Sequence, residues 1–106
     1  MPGNYKYIFI GCDMDADYFD ANVQGTYLDS GTCTYEIADL SGNVLTTGAC
    51  AYLPGSEGNY QGLVPASFTS TLTEGAFYFL IFTFGQSGAD NDVRTVNLLA
   101  RNRGRN

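Results

Sequence analysis

The sequence predicts an all-β protein, a Greek-key sandwich of two sheets with about seven strands and an N-terminal extension. Composition is the first reason: eight tyrosines, seven phenylalanines and 13 glycines favour strands joined by turns. Lysine and glutamate, which favour helices, number one and three. Turn residues recur about every ten positions, which is typical of sandwiches. A length of 106 residues suits a single domain with one two-layer core.

The segment 72–84 is the third reason. Leu72, Gly75 and Tyr78 stand at positions i, i+3 and i+6, directly before an apolar run. In a tyrosine corner, the chain crosses between sheets and the tyrosine hydroxyl bonds back to the backbone of the bend. We therefore expect Leu72 to fill the core before the bend and Gly75 to allow a positive φ. Residues 77–84 barely alternate, which predicts a strand covered on both faces.

The other elements follow from periodicity and turn residues. In the first quarter of the chain we expect a first strand or extended arm at 5–11, an acidic connection at 12–20 and a short strand at 19–27. These are followed by a half-buried strand at 32–38, a hairpin turn at 39–43, and a strand at 44–53 with a bulge at Gly48. After it we expect a turn at 54–59, a strand at 60–64 ended by Pro65, a lead into the corner at 68–74, a polar loop at 86–91 and a closing strand at 92–100.

Charge divides the chain unevenly. Residues 1–92 carry all 11 acidic side chains and one base, Lys6, whereas residues 93–106 carry four arginines and no acid. The acidic body disfavours nucleic acid and anionic membranes as partners. We divide the chain into 1–20 (N-terminal strand or arm with an acidic loop), 21–100 (the sandwich) and 101–106 (a basic tail). The tail is either a solvated end or a contact with an acidic neighbouring subunit.

Cysteine usage and the N-terminal sequence indicate synthesis in the reducing cytoplasm. Cys12, Cys33 and Cys50 form an odd set without the spacing of a metal or redox motif. The sequence allows Cys33 and Cys50 to lie on paired strands and leaves open whether they pair, and the free thiols are expected to be small core residues. The start of the chain lacks the basic and apolar regions of a signal peptide, and no apolar run reaches the length of a membrane span.

The residue types exclude most catalytic chemistry. The sequence has no histidine, so histidine-dependent triads and common zinc sites are excluded. No phosphate-binding or dinucleotide-binding motif is present. We therefore expect no catalytic residue, no cofactor and no enzyme activity.

The acidic segment holds the one candidate metal site. Asp13, Asp15 and Asp17 alternate like the opening of a calcium loop, because Ca²⁺ takes six to eight oxygen ligands from a short segment. Tyr18 and Gln24 stand where an EF-hand has glycine and glutamate, so the segment is not an EF-hand. A surface that meets basic partner residues is the other interpretation of the same carboxylates.

Three features in order carry a resemblance to a known class of proteins: the turn with Asp39 and Gly42, the Gly58-x-Tyr60 step and the Gly75-x-x-Tyr78 corner. Over about 75 residues, the chain resembles small proteins encoded in the structural modules of tailed bacteriophages and prophages. Their architecture is similar to immunoglobulin-like and fibronectin-type modules. The resemblance implies no catalytic residue. The N-terminal extension and the arginine tail depart from the simple sandwich.

The resemblance implies a non-enzymatic virion protein, made in the host cytoplasm, that decorates or stabilises the capsid or the head-to-tail region in many copies. Its partners would be capsid, neck or tail proteins of the same particle. The expected partner contacts are at Arg101, Arg103, Arg105, Asp13, Asp15 and Asp17. The alternative is a module that binds carbohydrate or a host surface through the loops 54–59 and 86–91, with Tyr27, Tyr52 and Tyr60 as stacking candidates.

Overall fold

The computed structural model describes residues 5–19, 21–23, 26–28, 31–56, 58–86 and 92–102. Nine strands and one short helix lie in these ranges. They are β1 (Lys6–Ile10), β2 (Met14–Tyr18), β3 (Asn22–Val23), β4 (Thr26–Tyr27), β5 (Thr32–Asp39), β6 (Val44–Tyr52), β7 (Tyr60–Val64), α1 (Ala66–Thr69), β8 (Phe77–Gly85) and β9 (Asp92–Asn102).

Seven strands form the sandwich in the order β1-β9-β8-β5-β6-β7-β2, and β3 and β4 form a separate two-stranded ribbon. β1 runs parallel to β9, and the other neighbours are antiparallel. The first part of β6 pairs with β5, whereas Ala51 and Tyr52 pair with β7. β6 therefore joins a five-stranded layer, sheet A (β1-β9-β8-β5-β6), to a three-stranded layer, sheet B (β6-β7-β2). The all-β Greek-key sandwich is confirmed.

The acidic segment is a strand, where the sequence predicted a loop. β2 alternates buried Ala16 and Tyr18 with outward Asp15 and Asp17, and it pairs antiparallel with β7. The sequence reasoning considered the carboxylates alone and missed this period of two. β1 also belongs to the sandwich, because Ile8 is fully buried in the core. The N-terminal segment thus supplies the two edge strands of the sandwich.

The tyrosine corner is confirmed. After β7, the chain crosses from sheet B to sheet A through α1 and the bend at Gly75, whose φ is 84°. The Thr73 N–H donates to the Tyr78 hydroxyl at 3.0 Å. Leu72 and Tyr78 are 8% and 7% exposed. The Gly75 N–H donates to the Ala100 carbonyl at 2.8 Å, so the corner is also attached to β9.

The predicted turn at 39–43 also forms, and at the second predicted turn the Ser56 N–H donates to the Leu53 carbonyl at 3.0 Å. In the hairpin between β5 and β6, Asp39 Oδ1 accepts from the N–H groups of Ser41 and Asn43, and Gly42 has a φ of 89°. Those backbone N–H groups favour the carboxylate and lower the pKa of Asp39.

Tyr60 donates its hydroxyl proton to the Leu28 carbonyl at 2.8 Å. This bond holds the segment before β5 against β7.

The predicted bulge at Gly48 is wrong. The register shift lies between Ile37 and Ala38, opposite β6 residues 44–46. Gly48 pairs directly with Tyr35, and a Cβ on Gly48 would lie 2.4 Å from the Tyr35 ring. Tyr35 then donates its hydroxyl proton to the Leu63 carbonyl on β7 at 2.7 Å. Glycine is required here because an aromatic ring lies across the strand.

Aromatic rings from both sheets form the centre of the core. Tyr18 of β2 stacks on Phe84 of β8 with centroids 5.2 Å apart, and Tyr60 of β7 meets the same ring edge-on at 5.1 Å. All three rings are at most 2% exposed. Such pairs contribute about 0.5–1.5 kcal/mol each beyond the area that they bury. The two sheets are thus joined by side chains from three strands.

Cys33 and Cys50 lie on paired strands, an arrangement that the sequence left open. They stand directly opposite each other on β5 and β6, both as free buried thiols. Cys12 is also free and is only partly buried. A hydrogen bond to Cys50 and burial raise the pKa of the Cys33 thiol far above its usual value.

Candidate functional site

The outer face of sheet A is apolar and only partly covered. Along β8, the side chains at 78, 80, 82 and 84 are buried in the core, whereas Phe77, Phe79 and Ile81 point outward and are half-buried. The sequence predicted a strand covered on both faces. Among the described residues, no second layer packs over this face. The outward side chains of β8 therefore contribute to an exposed apolar surface.

β1 extends this surface to the edge of the sheet. Tyr5 and the outward β1 side chains Tyr7 and Phe9 are 40%, 42% and 36% exposed. Their rings touch in sequence, with centroids 5.7 Å apart for Tyr5 and Tyr7 and 6.0 Å for Tyr7 and Phe9. Tyr5 also meets Phe77 of β8 edge-on at 5.8 Å. We call these four residues, Tyr5, Tyr7, Phe9 and Phe77, the aromatic face.

Arg101 lies on the aromatic face. Register places it beside Phe9, and its guanidinium carbon lies 5.3 Å from the Tyr7 ring centroid. Its Nε is 3.9 Å from Glu74 Oε2, with both side chains about half exposed. Exposed pairs of this kind contribute little to stability. Arg101 is thus a predicted partner residue that the structure leaves accessible, whereas Arg103 and Arg105 lie outside the described residues.

Of the three predicted carboxylates, Asp13 precedes β2, and Asp15 and Asp17 lie along β2 at the edge of sheet B. Asp13 Oδ1 accepts from the Ala66 N–H at 2.7 Å, at the first residue of α1. Asp17 Oδ1 accepts from the Gln61 side chain at 2.9 Å. Asp15 is exposed. Asp13 and Asp17 therefore support the fold locally, and both Asp13 and Asp15 are exposed.

The calcium candidate has no support in this geometry. Side chains two apart on a strand start about 7 Å from each other, whereas the ligands of one Ca²⁺ all lie within about 2.6 Å of the ion. In the part of the chain that the structure describes, no three histidine, cysteine, aspartate or glutamate side chains form a group that could hold a metal ion. Asp13, Asp15 and Asp17 thus form a row of charge along an edge.

One polar cluster ties the end of β2 to the start of β9. The Tyr18 hydroxyl donates to Asp92 Oδ2 at 2.6 Å, and Arg94 Nε donates to the same oxygen at 2.7 Å. The Arg94 guanidinium also lies 4.1 Å from the Tyr18 ring centroid and donates to the Phe19 carbonyl. The hydrogen bonds from Tyr18 and Arg94 lower the pKa of Asp92. The cluster attaches β2 to sheet A.

The expected sugar-stacking residues do not form a platform. Tyr60 is 1% exposed and its ring is packed in the core. Tyr52 donates its hydroxyl proton to the Ser56 carbonyl within its own turn, at 2.6 Å. The side chain of Tyr27 and residues 87–91 of the second loop lie outside the described residues. The buried position of Tyr60 follows from the two-sheet core, because its ring points from sheet B onto Phe84 of β8 in sheet A.

Sequence reasoning missed the aromatic face as a site. The available signal was the strand 5–10, in which aromatic residues fill every odd position and isoleucines occupy positions 8 and 10. A strand that is apolar on both faces needs cover on both faces. The strand 5–10 therefore needs cover on its outer face in the same way as residues 77–84.

Comparison with known proteins supports the fold alone. The crystal structure of CopC from Methylosinus trichosporium OB3b aligns with a TM-score of 0.60 and 11% identity, covering 98% of this chain and 90% of that chain. The Group B Streptococcus pullulanase SAP aligns with a TM-score of 0.50 and 15% identity, covering 88% of this chain and 11% of that chain. No family model and no curated protein matches the sequence. The resemblance to phage structural proteins stays a prediction.

Within the described ranges, no helix has the length and apolar character needed to cross a membrane.

Proposed function

We propose that this protein is a non-enzymatic structural component of a tailed-phage particle, which decorates or stabilises the capsid or the head-to-tail region through protein–protein contacts. It is made in the host cytoplasm and acts in many copies in the virion. Its partners are capsid, neck or tail proteins of the same particle. The sequence resemblance suggests the particle, and the aromatic face suggests how the protein is held in it.

The observation that carries the proposal is the exposed aromatic face. Tyr5, Tyr7 and Phe9 each leave about 50–100 Å² of surface in water, given the 150–250 Å² that an aromatic residue can bury. Phe77, Phe79 and Ile81 extend the patch across β8. Apolar patches of a few hundred Å² on a monomer often mark interaction sites. Tyrosine, phenylalanine and arginine are also enriched at the centres of interfaces.

The rim of the patch fits the same role. A stable contact buries about 800 Å² per partner, so the aromatic face would form its apolar centre and polar neighbours its margin. Arg101 and Glu74 lie at that margin with side chains 47% and 50% exposed. Charges at a rim set orientation and association rate more than affinity.

To test the proposal, phage particles are purified by sedimentation from a host that produces them, and the proteins in the particle fraction are identified by mass spectrometry. We expect the protein in the particle fraction at a fixed ratio to the capsid protein. Replacement of Tyr7 by Asp places a charge in the centre of the aromatic face and should remove the protein from particles. Absence of the unmodified protein from mature particles would refute the proposal.

The matched control is Val93→Asp. Val93 also points outward from sheet A and is 62% exposed, but it lies at the other end of β9 from Arg101. This variant introduces the same charge on the same sheet and should still enter particles. Circular dichroism of both purified variants establishes that each keeps the sandwich. Equal loss of both variants from particles would mean that the aromatic face is not the specific contact.

A further inference from the structure

Two free thiols meet in the core between β5 and β6. Cys33 and Cys50 stand directly opposite each other in the register of these antiparallel strands, and they are 2% and 7% exposed. Both side chains lie on the inner face of sheet A, because the β8 partner of Cys33 is Phe84, a core residue. The two sulfur atoms therefore occupy the same part of the core.

The two thiols are also in contact. A hydrogen bond between the side chains raises the pKa of Cys33 and lowers the pKa of Cys50. Cys33 is thus the donor in this bond, and Cys50 is the sulfur that ionises more readily, because its thiolate accepts the bond. Cys50 Sγ also lies 3.9 Å from the Ala16 carbonyl of β2.

The spacing of the two residues suits a covalent bond. Directly opposite residues of antiparallel strands hold their Cα atoms about 4.5–5.5 Å apart. A disulfide joins Cα atoms that are about 4.4–6.8 Å apart. The bond could therefore form without separating β5 from β6. Cys12, the third thiol, lies outside the strands, between β1 and β2.

We propose that Cys33 and Cys50 are a redox modification site, at which a small disulfide such as oxidised glutathione converts the two thiols to a disulfide between β5 and β6. In the first step, the Cys50 thiolate attacks one glutathione sulfur, and a glutathione thiolate leaves. In the second step, the Cys33 thiolate attacks Cys50 Sγ and displaces the other glutathione thiolate. The two protein thiols are oxidised, the small disulfide is reduced to two thiols, and the two protein thiol protons pass to the departing thiolates.

The position of Cys50 indicates how an oxidant reaches the pair. Cys50 is the last β6 residue that pairs with β5, and β6 then pairs with β7 at Ala51 and Tyr52. A Cβ on Gly62 of β7 would lie 3.0 Å from Cys50 Sγ, so backbone without a side chain covers the sulfur there. Local opening of this short contact exposes Cys50 while β5 stays paired with β8. Because opening must come first, oxidation of the folded protein is slow.

The disulfide would fix the strand that both sheets share. It joins β6 to β5 at the point where β6 leaves sheet A for sheet B. It also closes a loop over residues 34–49, which restricts the unfolded chain, and we expect Tm to rise by about 10 °C or more. In a reducing compartment the pair stays as thiols, and in an oxidising one the disulfide forms. The inference concerns the core and does not rest on the proposed function.

The test is incubation of the folded full-length protein with excess oxidised glutathione over hours. Cleavage after aspartate and glutamate places Cys12, Cys33 and Cys50 in three separate peptides, so mass spectrometry identifies the linked pair directly. We expect the peptides of Cys33 and Cys50 to be joined, and dithiothreitol to separate them. The matched control is Cys12→Ser, which keeps both core thiols. Its intact mass should fall by the mass of two hydrogen atoms, and its Tm should rise as in the unmodified protein.

Oxidation in denaturant gives the comparison that isolates the effect of the fold. The unfolded chain should give a mixture of the three possible pairs, whereas the folded protein should give the Cys33–Cys50 pair alone. The same mixture from the folded protein would overturn the inference. So would a Cys12→Ser protein that keeps its mass or gains glutathione without losing the two hydrogen atoms. A Tm that is unchanged or lower in the oxidised protein would also overturn it, because the core would then not accommodate the bond.

Discussion

Replacement of Tyr78 by phenylalanine tests the corner that directs the chain from one sheet to the other. The change removes one oxygen and leaves the ring in place. That oxygen accepts the Thr73 N–H at 3.0 Å, and Tyr78 is 7% exposed. The N–H group then loses its partner in a partly buried position. We expect the free energy of unfolding to fall by about 1–2 kcal/mol, the cost of an unsatisfied donor.

Urea unfolding followed by far-ultraviolet circular dichroism measures this cost, because the chain has no tryptophan to report by fluorescence. In a domain of this size, each kcal/mol lowers Tm by about 4–8 °C. Tyr7→Phe is the matched control, since it removes the same hydroxyl from a ring that is 42% exposed and should change stability by about 0.5 kcal/mol or less. A neutral Tyr78→Phe variant would refute the assignment of the corner bond as a stabilising contact.

Three further predictions concern the turn, the polar cluster and the thiols. Gly75→Ala should lower the free energy of unfolding by about 1 kcal/mol through backbone strain at a φ of 84°. The added Cβ has no atom within 4 Å, so strain and not a clash is the cause. Gly75→Asn should cost less in the same unfolding assay, because asparagine adopts positive φ more readily than alanine. The pKa of Asp92 is lower in the folded protein than in the unfolded chain. Its contribution to the free energy of unfolding is therefore complete above the unfolded pKa, about 4, and is lost as the pH falls through the folded pKa. The Asp92→Asn variant should therefore lose less stability on acidification than the unmodified protein. If the free energy of unfolding falls with pH equally in both proteins, the bond from Tyr18 to Asp92 is contradicted. Cys33 and Cys50 should resist a thiol reagent in the folded protein and react in denaturant, and rapid native reaction would contradict their burial.

The corner and the turns could be predicted because each depends on a few residues close in sequence. Gly75 and Tyr78 stand three positions apart, and their bond closes within the same bend. The Asp39 turn likewise satisfies its own backbone within four residues. Local geometry of this kind is encoded by residue type and spacing. The direct opposition of Cys33 and Cys50 could not be predicted in this way, because it depends on the shift between Ile37 and Ala38, which moves the hairpin register by one residue.

The candidate site could not be predicted in the same way, because it depends on which face each strand turns toward the second sheet. In the run from 77 to 84, odd and even positions are both mainly apolar, and the sequence does not say which of the two sets lies on the outer face of the sheet. Asp15 and Asp17 were assigned to a connection on their charge alone, although Ala16 and Tyr18 alternate with them at the period of a strand. The burial of Ala16 and the pairing with β7 show that the segment is a strand.

The two apolar faces of β8 now have different roles. The inner face is complete, since Leu80, Phe82 and Phe84 are each at most 2% exposed. The outward side chains of β8 are only half-buried, and the apolar surface that they form continues into the aromatic rings of β1. A strand with this composition is usually enclosed by a layer on each side. We infer that the missing layer is supplied by neighbouring subunits.

The measurement that tests this claim most directly is a map of the intact particle at side-chain resolution. We expect a neighbouring protein within van der Waals contact of Tyr7 and Phe77, with Arg101 at the margin of that contact. A map in which the protein is present and the outer face of sheet A is open to solvent would contradict it.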